Sequence, residues 1–184
     1  MSGSGRGTVA GVVLAAGRSR RAGTVDKLVA EIDGEAMVRR VVRVALESGL
    51  EPVVAVTPGE ASGAHRALDG LVVRRVVNPR AQEGMGTSVA CGIRALPRTA
   101  AAAVVLLGDM PWVSPETVRA LVEASWDQGA DRPCVPVRRG RRGNPVLWPR
   151  VFFRRGYGCG SRGASEWSDL PARSGVLLSP GRVP

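Results

Sequence analysis

Short runs of small and β-branched apolar residues recur along the chain, at about Val9 to Ala15, Pro52 to Thr57, Val72 to Val77 and Ala102 to Leu107. Continuous runs of this kind suit strands covered on both faces, as in a parallel sheet, better than half-exposed strands, which alternate. Between the first two lies a helical repeat. Met37, Val38, Val41, Val42, Ala45 and Leu46 fall on one stripe and Arg39, Arg40, Arg43 and Glu47 on the other, with Gly49 placed to end the helix. Strand, helix, strand in that order predicts a right-handed βαβ unit. Leu28 to Ile32 reads as a short extended piece closed by the turn dipeptide Asp33-Gly34, and Ala61 to Leu68 as a small helix. A helix capped by Thr87 or Ser88 follows the third run. Ser114-Pro115-Glu116 opens another, reaching about Gln128: a capping hydroxyl, a proline at the first position and an acid in the first turn. Cys134 to Val137 predicts a short strand, Arg138 to Gly143 a basic hairpin, and Asn144 to Trp148 a turn into an edge strand. The expected fold is a single doubly wound α/β domain with a mainly parallel sheet over residues 9–153. A flexible Gly/Ser-rich leader at 1–8 and an irregular Gly/Arg/Ser/Pro-rich tail at 154–184 flank it, the tail carrying a period only at Gly175 to Leu178.

Length and composition narrow this picture without overturning it. With 184 residues and 44% hydrophobic content, the chain suits one domain with a real core. No apolar run approaches a membrane span and no signal peptide opens the chain, so a cytoplasmic location is expected, with no membrane partner. Cys91, Cys134 and Cys159 are odd in number and widely spaced, against a disulfide framework or a zinc site. The net charge of +10 is unevenly spread: +2 over residues 1–130, +5 over 131–150 and +3 over 151–184. The body is nearly balanced, which argues against a nucleic-acid partner. Arg138, Arg139, Arg141 and Arg142 carry much of the excess, as a solvated loop or a surface for a polyanionic substrate. His65, the sole histidine, has no carboxylate nearby in sequence and reads as a surface residue.

Chemistry enters where the first run breaks. After Ala16 the chain turns at Gly17 into Arg18-Ser19-Arg20-Arg21-Ala22-Gly23-Thr24-Val25-Asp26-Lys27. The glycines let main-chain N–H groups approach an anion, and Arg18, Arg20, Arg21 and Lys27 surround that concavity with positive charge. A triphosphate cradle and a solvated turn both fit these residues. A P-loop does not, because it needs glycine before its lysine and a hydroxyl after it, whereas Asp26 and Leu28 flank Lys27. Lys27 is also the only lysine in a chain that otherwise uses arginine. The fourth run ends in Gly108-Asp109-Met110-Pro111, setting a carboxylate where open α/β sheets place ligands. A buried lone charge there needs compensation, which magnesium supplies together with phosphate oxygens and water.

Four segments carry a family resemblance. L-A-A-G-x-S-x-R-x-G-x-x-x-K over residues 14–27 resembles the signature loop of MobA-like nucleotidyltransferases, and its second alanine looks like the cytidylyltransferase branch that matures molybdenum cofactor. Asn78-Pro79 with Glu83-Gly84-Met85 and Ser88 resembles the second signature, Gly-Asp-x-Pro at 108–111 the metal motif, and Arg142-Gly143-Asn144-Pro145-Val146-Leu147 the third signature. The resemblance implies catalytic roles for Arg21, Lys27 and Asp109, the last holding Mg2+. It implies nucleotide contacts from Leu14, Ala15, Ala16, Gly17, Arg18, Lys27, Asn78, Gly84 and Ser88, and acceptor contacts from Arg142, Asn144 and Pro145. The reaction it implies is transfer of CMP or another NMP from an NTP to a phosphorylated acceptor such as molybdopterin, with a molybdoenzyme or its chaperone as a further partner. An NAD(P)H-dependent oxidoreductase similar to nicotine blue oxidoreductases, and a non-catalytic cofactor-binding protein, are the alternatives. Ala22 stands where relatives carry methionine, and Asn144 where they often carry histidine. The relatives' late glycine-rich segment and metal-holding aspartate find no counterpart past Phe153, so the tail is expected to be truncated or frameshifted.

Overall fold

The apolar runs become the middle of a five-stranded sheet. The computed structural model describes residues 7–17, 26–153 and 175–177; the expected leader up to Arg6 and most of the tail lie outside them. In chain order the elements are β1 (Val9–Leu14), a 3-10 turn (Lys27–Val29), β2 (Glu31–Ile32), β3 (Glu35–Ala36), α1 (Met37–Glu47), β4 (Val53–Thr57), α2 (Gly63–Arg66) and β5 (Arg74–Val77). A second 3-10 turn (Ala81–Glu83), α3 (Met85–Arg94), β6 (Ala102–Leu107), α4 (Pro115–Asp127), β7 (Val135–Arg138), β8 (Arg141–Arg142), β9 (Val146–Pro149), a third 3-10 turn (Arg150–Phe152) and β10 (Gly175–Leu177) follow.

The main sheet has the order β5-β4-β1-β6-β9. β1 pairs in parallel with β4 and β6, β4 with β5, and only the edge strand β9 runs antiparallel, against β6. Alternate residues of β1 serve opposite faces, as the pleat requires. Val13 and Ala15 pack with α1 and α4 through Val38, Val41, Val42, Val118 and Leu121, while Val12 and Leu14 pack with Val89 and Ile93 of α3. Helices therefore cover both faces, as expected of a doubly wound sheet. The α3 face is tight: a methyl group on Gly92 would overlap the Val12 side chain and press on Val56. A smaller sheet, β10-β7-β8, stands beside the main one, joined through the bridge between Cys134 and Leu147. Among the described residues no helix is long and apolar enough to cross a membrane.

Three local expectations are corrected. The segment from Leu28 begins as a 3-10 turn rather than a strand, because Asp26 Oδ1 accepts the Leu28 N–H at 3.1 Å and winds the chain. The extended part is only Glu31–Ile32, hairpinned to β3 through Asp33 and Gly34 at positive φ. Neither Thr87 nor Ser88 caps α3, which starts two residues earlier at Met85. Gly84, at φ 127°, lets the preceding 3-10 turn reverse directly into the helix. Finally, His65 is half-buried, not a free surface residue: its Nδ1 lies 3.0 Å from Oγ1 of Thr57, which is fully buried and needs a partner.

Candidate active site

The chain runs outward from β1 to β4 and β5, then returns past β1 to lay down β6 on its other side. Loops leaving the carboxyl ends of β1 and β6 thus diverge, and open sheets bind ligands in the crevice so formed. A cleft of about 440 Å³ occupies that position, and Gly17, Lys27 and Asp109 all line it. The two loops are tied at their bases, since the Gly108 N–H donates to the Leu14 carbonyl at 2.9 Å. A side chain at 108 would crowd that same carbonyl, which accounts for glycine there. Leu14 and Leu107, which are paired partners, floor the cleft with Ala16 and Leu28.

Asp109 is exposed, contrary to the expected burial. It follows Gly108 in the turn closed by Met110 N–H to Leu107 O, which carries the carboxylate past the end of β6 and out of the apolar layer. Burial therefore puts no demand for a compensating ion on Asp109; its position at the end of a central strand, on the cleft wall, is what marks it as ligand-facing. Lys27 is likewise exposed, and no described side chain pairs with either group. Asp26 lines the same cleft, its Oδ1 occupied by the Leu28 N–H.

The opposite wall is the 80–88 segment. Ala81, Gln82, Glu83, Gly84, Met85 and Ser88 reach the cleft. Of these, Gly84 and Ser88 were expected from sequence. Gln82 and Met85 were not, because their approach depends on α3 starting at Met85. Arg80 grips Glu83 in a fork, Nε to Oε1 at 2.7 Å and Nη2 to Oε2 at 2.6 Å. That guanidinium holds the Glu83 carboxyl below the ordinary carboxylate range, so it is an anion through neutral pH.

Other expected site residues stand behind the cleft or beside it. Ala15 is fully buried beneath its floor. Asn78 is buried too: its Nδ2 donates to Thr87 Oγ1 at 2.9 Å and Ser88 Oγ at 3.0 Å, while its Oδ1 accepts the Arg80 N–H at 3.0 Å. It holds the wall rather than facing the cavity. Asn144 and Pro145 precede β9, whose first residue pairs with Val105 near the carboxyl end of β6, so they flank the same sheet edge without lining the cleft. Arg142 is exposed on β8. Arg18 and Arg21 lie outside the described residues.

Among the described residues no group of three or more His, Cys, Asp or Glu side chains is arranged to hold a metal. Asp26, Glu83 and Asp109 all line the cleft, the first two engaged by the Leu28 N–H and by Arg80; Asp109 still fits magnesium, which takes one or two carboxylates and completes its shell with substrate phosphates and water.

An open, mainly parallel sheet with a glycine turn, a lysine and a carboxylate around the crevice at its strand reversal defines a nucleotide-handling α/β domain. Comparison with known proteins makes this specific: the chain belongs to the MobA-like NTP transferase family, whose domain model matches residues 11–169. That match carries the assignment past Phe153, where the motifs read from sequence run out. A probable molybdenum cofactor guanylyltransferase from Opitutus terrae is 35% identical over 138 residues, 72% of this chain and 57% of that protein. The bifunctional protein GlmU of Sorangium cellulosum is 33% identical over 129 residues, 66% of this chain and 27% of that protein. The chain thus spans little more than half, or about a quarter, of these relatives. Among solved structures, Rv0371c of Mycobacterium tuberculosis superposes with a TM-score of 0.76 at 24% identity, covering 97% of this chain and 91% of that one. Its complex with manganese gives 0.72 at 25% identity, with the same coverage. A nucleotidyl transferase from Methanothermobacter gives 0.71 at 26% identity, covering 83% and 76%.

Proposed function

We propose that this chain transfers a nucleoside monophosphate, with CMP the first candidate, from an NTP to a phosphorylated acceptor of the molybdopterin class. The single observation that carries the reading is the meeting of Gly17, Lys27 and Asp109 on one cleft at the strand reversal. The triphosphate would lie against the Gly17 turn, its base toward Gln82, Met85 and Ser88. An acceptor phosphate oxygen attacks the α-phosphorus, the bond from the α-phosphorus to the bridging oxygen breaks, and pyrophosphate leaves with the electron pair. The acceptor is already anionic, so no general base is needed; positioning and charge carry the rate. Lys27 would neutralise charge on the departing pyrophosphate. Arg21 shares that role by resemblance. A magnesium ion held by Asp109 would supply further charge neutralisation on the phosphates when bound, and the manganese complex of Rv0371c supports a divalent cation here. Asn78 would act by fixing Ser88, and Arg142, Asn144 and Pro145 would meet the acceptor from the β9 side.

Relatives that are probable molybdenum cofactor guanylyltransferases, and the Methanothermobacter nucleotidyl transferase, favour group transfer over hydride chemistry. The guanylyltransferase relatives make GTP the competing donor, against the cytidylyl-type Ala16. Incubation with α-labelled CTP or GTP, molybdopterin and magnesium decides the matter. Label appearing in a dinucleotide with stoichiometric pyrophosphate is expected, with CTP preferred. Absence of pyrophosphate from every NTP would remove the proposal.

A further inference from the structure

Trp112 is 76% exposed, the largest side chain so placed among the described residues. It lies three residues beyond Asp109, a path of at most about 11 Å even fully extended. Consecutive turns, Met110 N–H to Leu107 O and Val113 N–H to Met110 O, fold the segment more tightly still. Pro111 is buried, so the segment is anchored with its indole left outside. The indole is not loose. The Arg40 guanidinium sits over its ring, 5.4 Å from the centroid, and is itself tethered at 3.2 Å to Asp33 of the β2–β3 turn. Arg40 belongs to the first turn of α1, the end of that helix beside the sheet's carboxyl edge. An aromatic plate held by Arg40 on one side and otherwise exposed therefore stands within about 11 Å of Asp109, outside the residues that line the cleft itself.

We propose that Trp112, backed by Arg40, is the platform on which the acceptor's planar heteroaromatic ring stacks, making it a specificity-determining residue for the second substrate. The inference rests on the group-transfer reading of the cleft, and it assigns the ring end of an acceptor whose phosphate must reach toward Asp109. The nucleotide's own base is not the occupant on this reading, because its wall of Gln82, Met85 and Ser88 is formed by α3 and the 3-10 turn that leads into it, and α3 lies on the sheet face opposite α1. A flat, electron-poor ring suits the site: the indole face is electron-rich, and stacking tolerates any planar heterocycle. A protein partner suits it less. The other exposed large apolar side chains among the described residues, Val72, Met85 and Val151, lie in other segments, so Trp112 is not the centre of a continuous apolar patch in its own stretch of chain.

The test uses the full chain, Trp112→Ala and Trp112→Phe, with a pterin monophosphate and magnesium CTP titrated separately by calorimetry and tryptophan fluorescence. In the wild type, pterin binding should quench fluorescence. Trp112→Ala should weaken pterin binding about tenfold or more while leaving CTP affinity unchanged; Trp112→Phe should hold affinity within about threefold yet lose most of the quench. Wild-type pterin affinity in Trp112→Ala, no pterin binding by the wild type, or parallel loss of CTP affinity would overturn the assignment. So would a wild-type dimer that Trp112→Ala converts to monomer. Should CTP fail to bind while pterin binding stays dependent on Trp112, the platform stands and the transfer reading falls.

Discussion

As the sole lysine in the chain, Lys27 gives its own chemical readout. Amine acetylation followed by peptide mass mapping should modify it quickly in the free protein and several-fold more slowly with saturating CTP, while the N-terminal amine is unaffected. Lys27→Ala should raise KM for the triphosphate about 10- to 100-fold, the scale of a charge-assisted hydrogen bond. Asp109→Asn should lower kcat at least 100-fold with an unchanged melting temperature, because the exposed carboxylate holds nothing in the fold. Cys134 behaves oppositely. Burial pushes its thiol above the usual value of 9.0, the neighbouring Ser125 hydroxyl drawing it partly back. An acid whose folded pKa is raised contributes stability that is complete below its unfolded value and disappears as pH rises through the folded one. Denaturant midpoints should therefore fall as pH rises past 9.0 in the wild type and fall less in Cys134→Ala.

At the level of elements, α3 links packing to the site, and two substitutions separate these duties. Asn78→Ala removes the donor to Thr87 and Ser88 and should cost about 1–3 kcal/mol in urea unfolding, with a raised KM for NTP as the wall at Gly84 and Ser88 loosens. Gly92→Val would drive methyl groups into Val12 and Val56, and should destabilise by about 1–3 kcal/mol or more, with less effect on KM per unit of stability lost. The elements most readable in advance were those whose apolar content admits one interpretation. β1 and β6 fall within a residue of the runs Val9 to Ala15 and Ala102 to Leu107, and Ser114 accepts the Thr117 N–H as a cap should. Asp109 was placed at the crevice by the same logic, since the end of a central strand is a position set by topology. Side-chain detail was less legible. The start of α3 depended on Gly84 taking a positive φ, which selects Met85 and Gln82 as wall residues, and nothing in the local pattern of Thr87 and Ser88 announces that their hydroxyls serve Asn78. Trp112 was passed over because one aromatic in a loop carries no period; its meaning came from Arg40, seventy-two positions earlier in the chain.

For the molecule as a whole, nucleotide binding and excess charge are separable. Arg139 and Arg141 of the β7–β8 hairpin do not line the cleft, so Arg139→Ala with Arg141→Ala should leave CTP affinity and melting temperature unchanged while lowering retention on a cation exchanger. A ligand that binds only the folded state raises stability by about 2.7 kcal/mol at a hundred times its Kd. Magnesium CTP should therefore lift the melting temperature, magnesium GTP less, and NADPH not at all; a larger shift with NADPH would bring back the oxidoreductase alternative. The crevice itself is a by-product of strand order, not of excavation. Because β1 and β6 are neighbours whose chains depart in opposite directions, the interior beneath them is complete without any contribution from the rim. On the proposed reading, donor choice would fall to one margin, at 80–88, and acceptor choice to the other, at 109–112 and 142–145. Chimeras exchanging either margin alone with a relative should therefore alter one preference at a time and still fold.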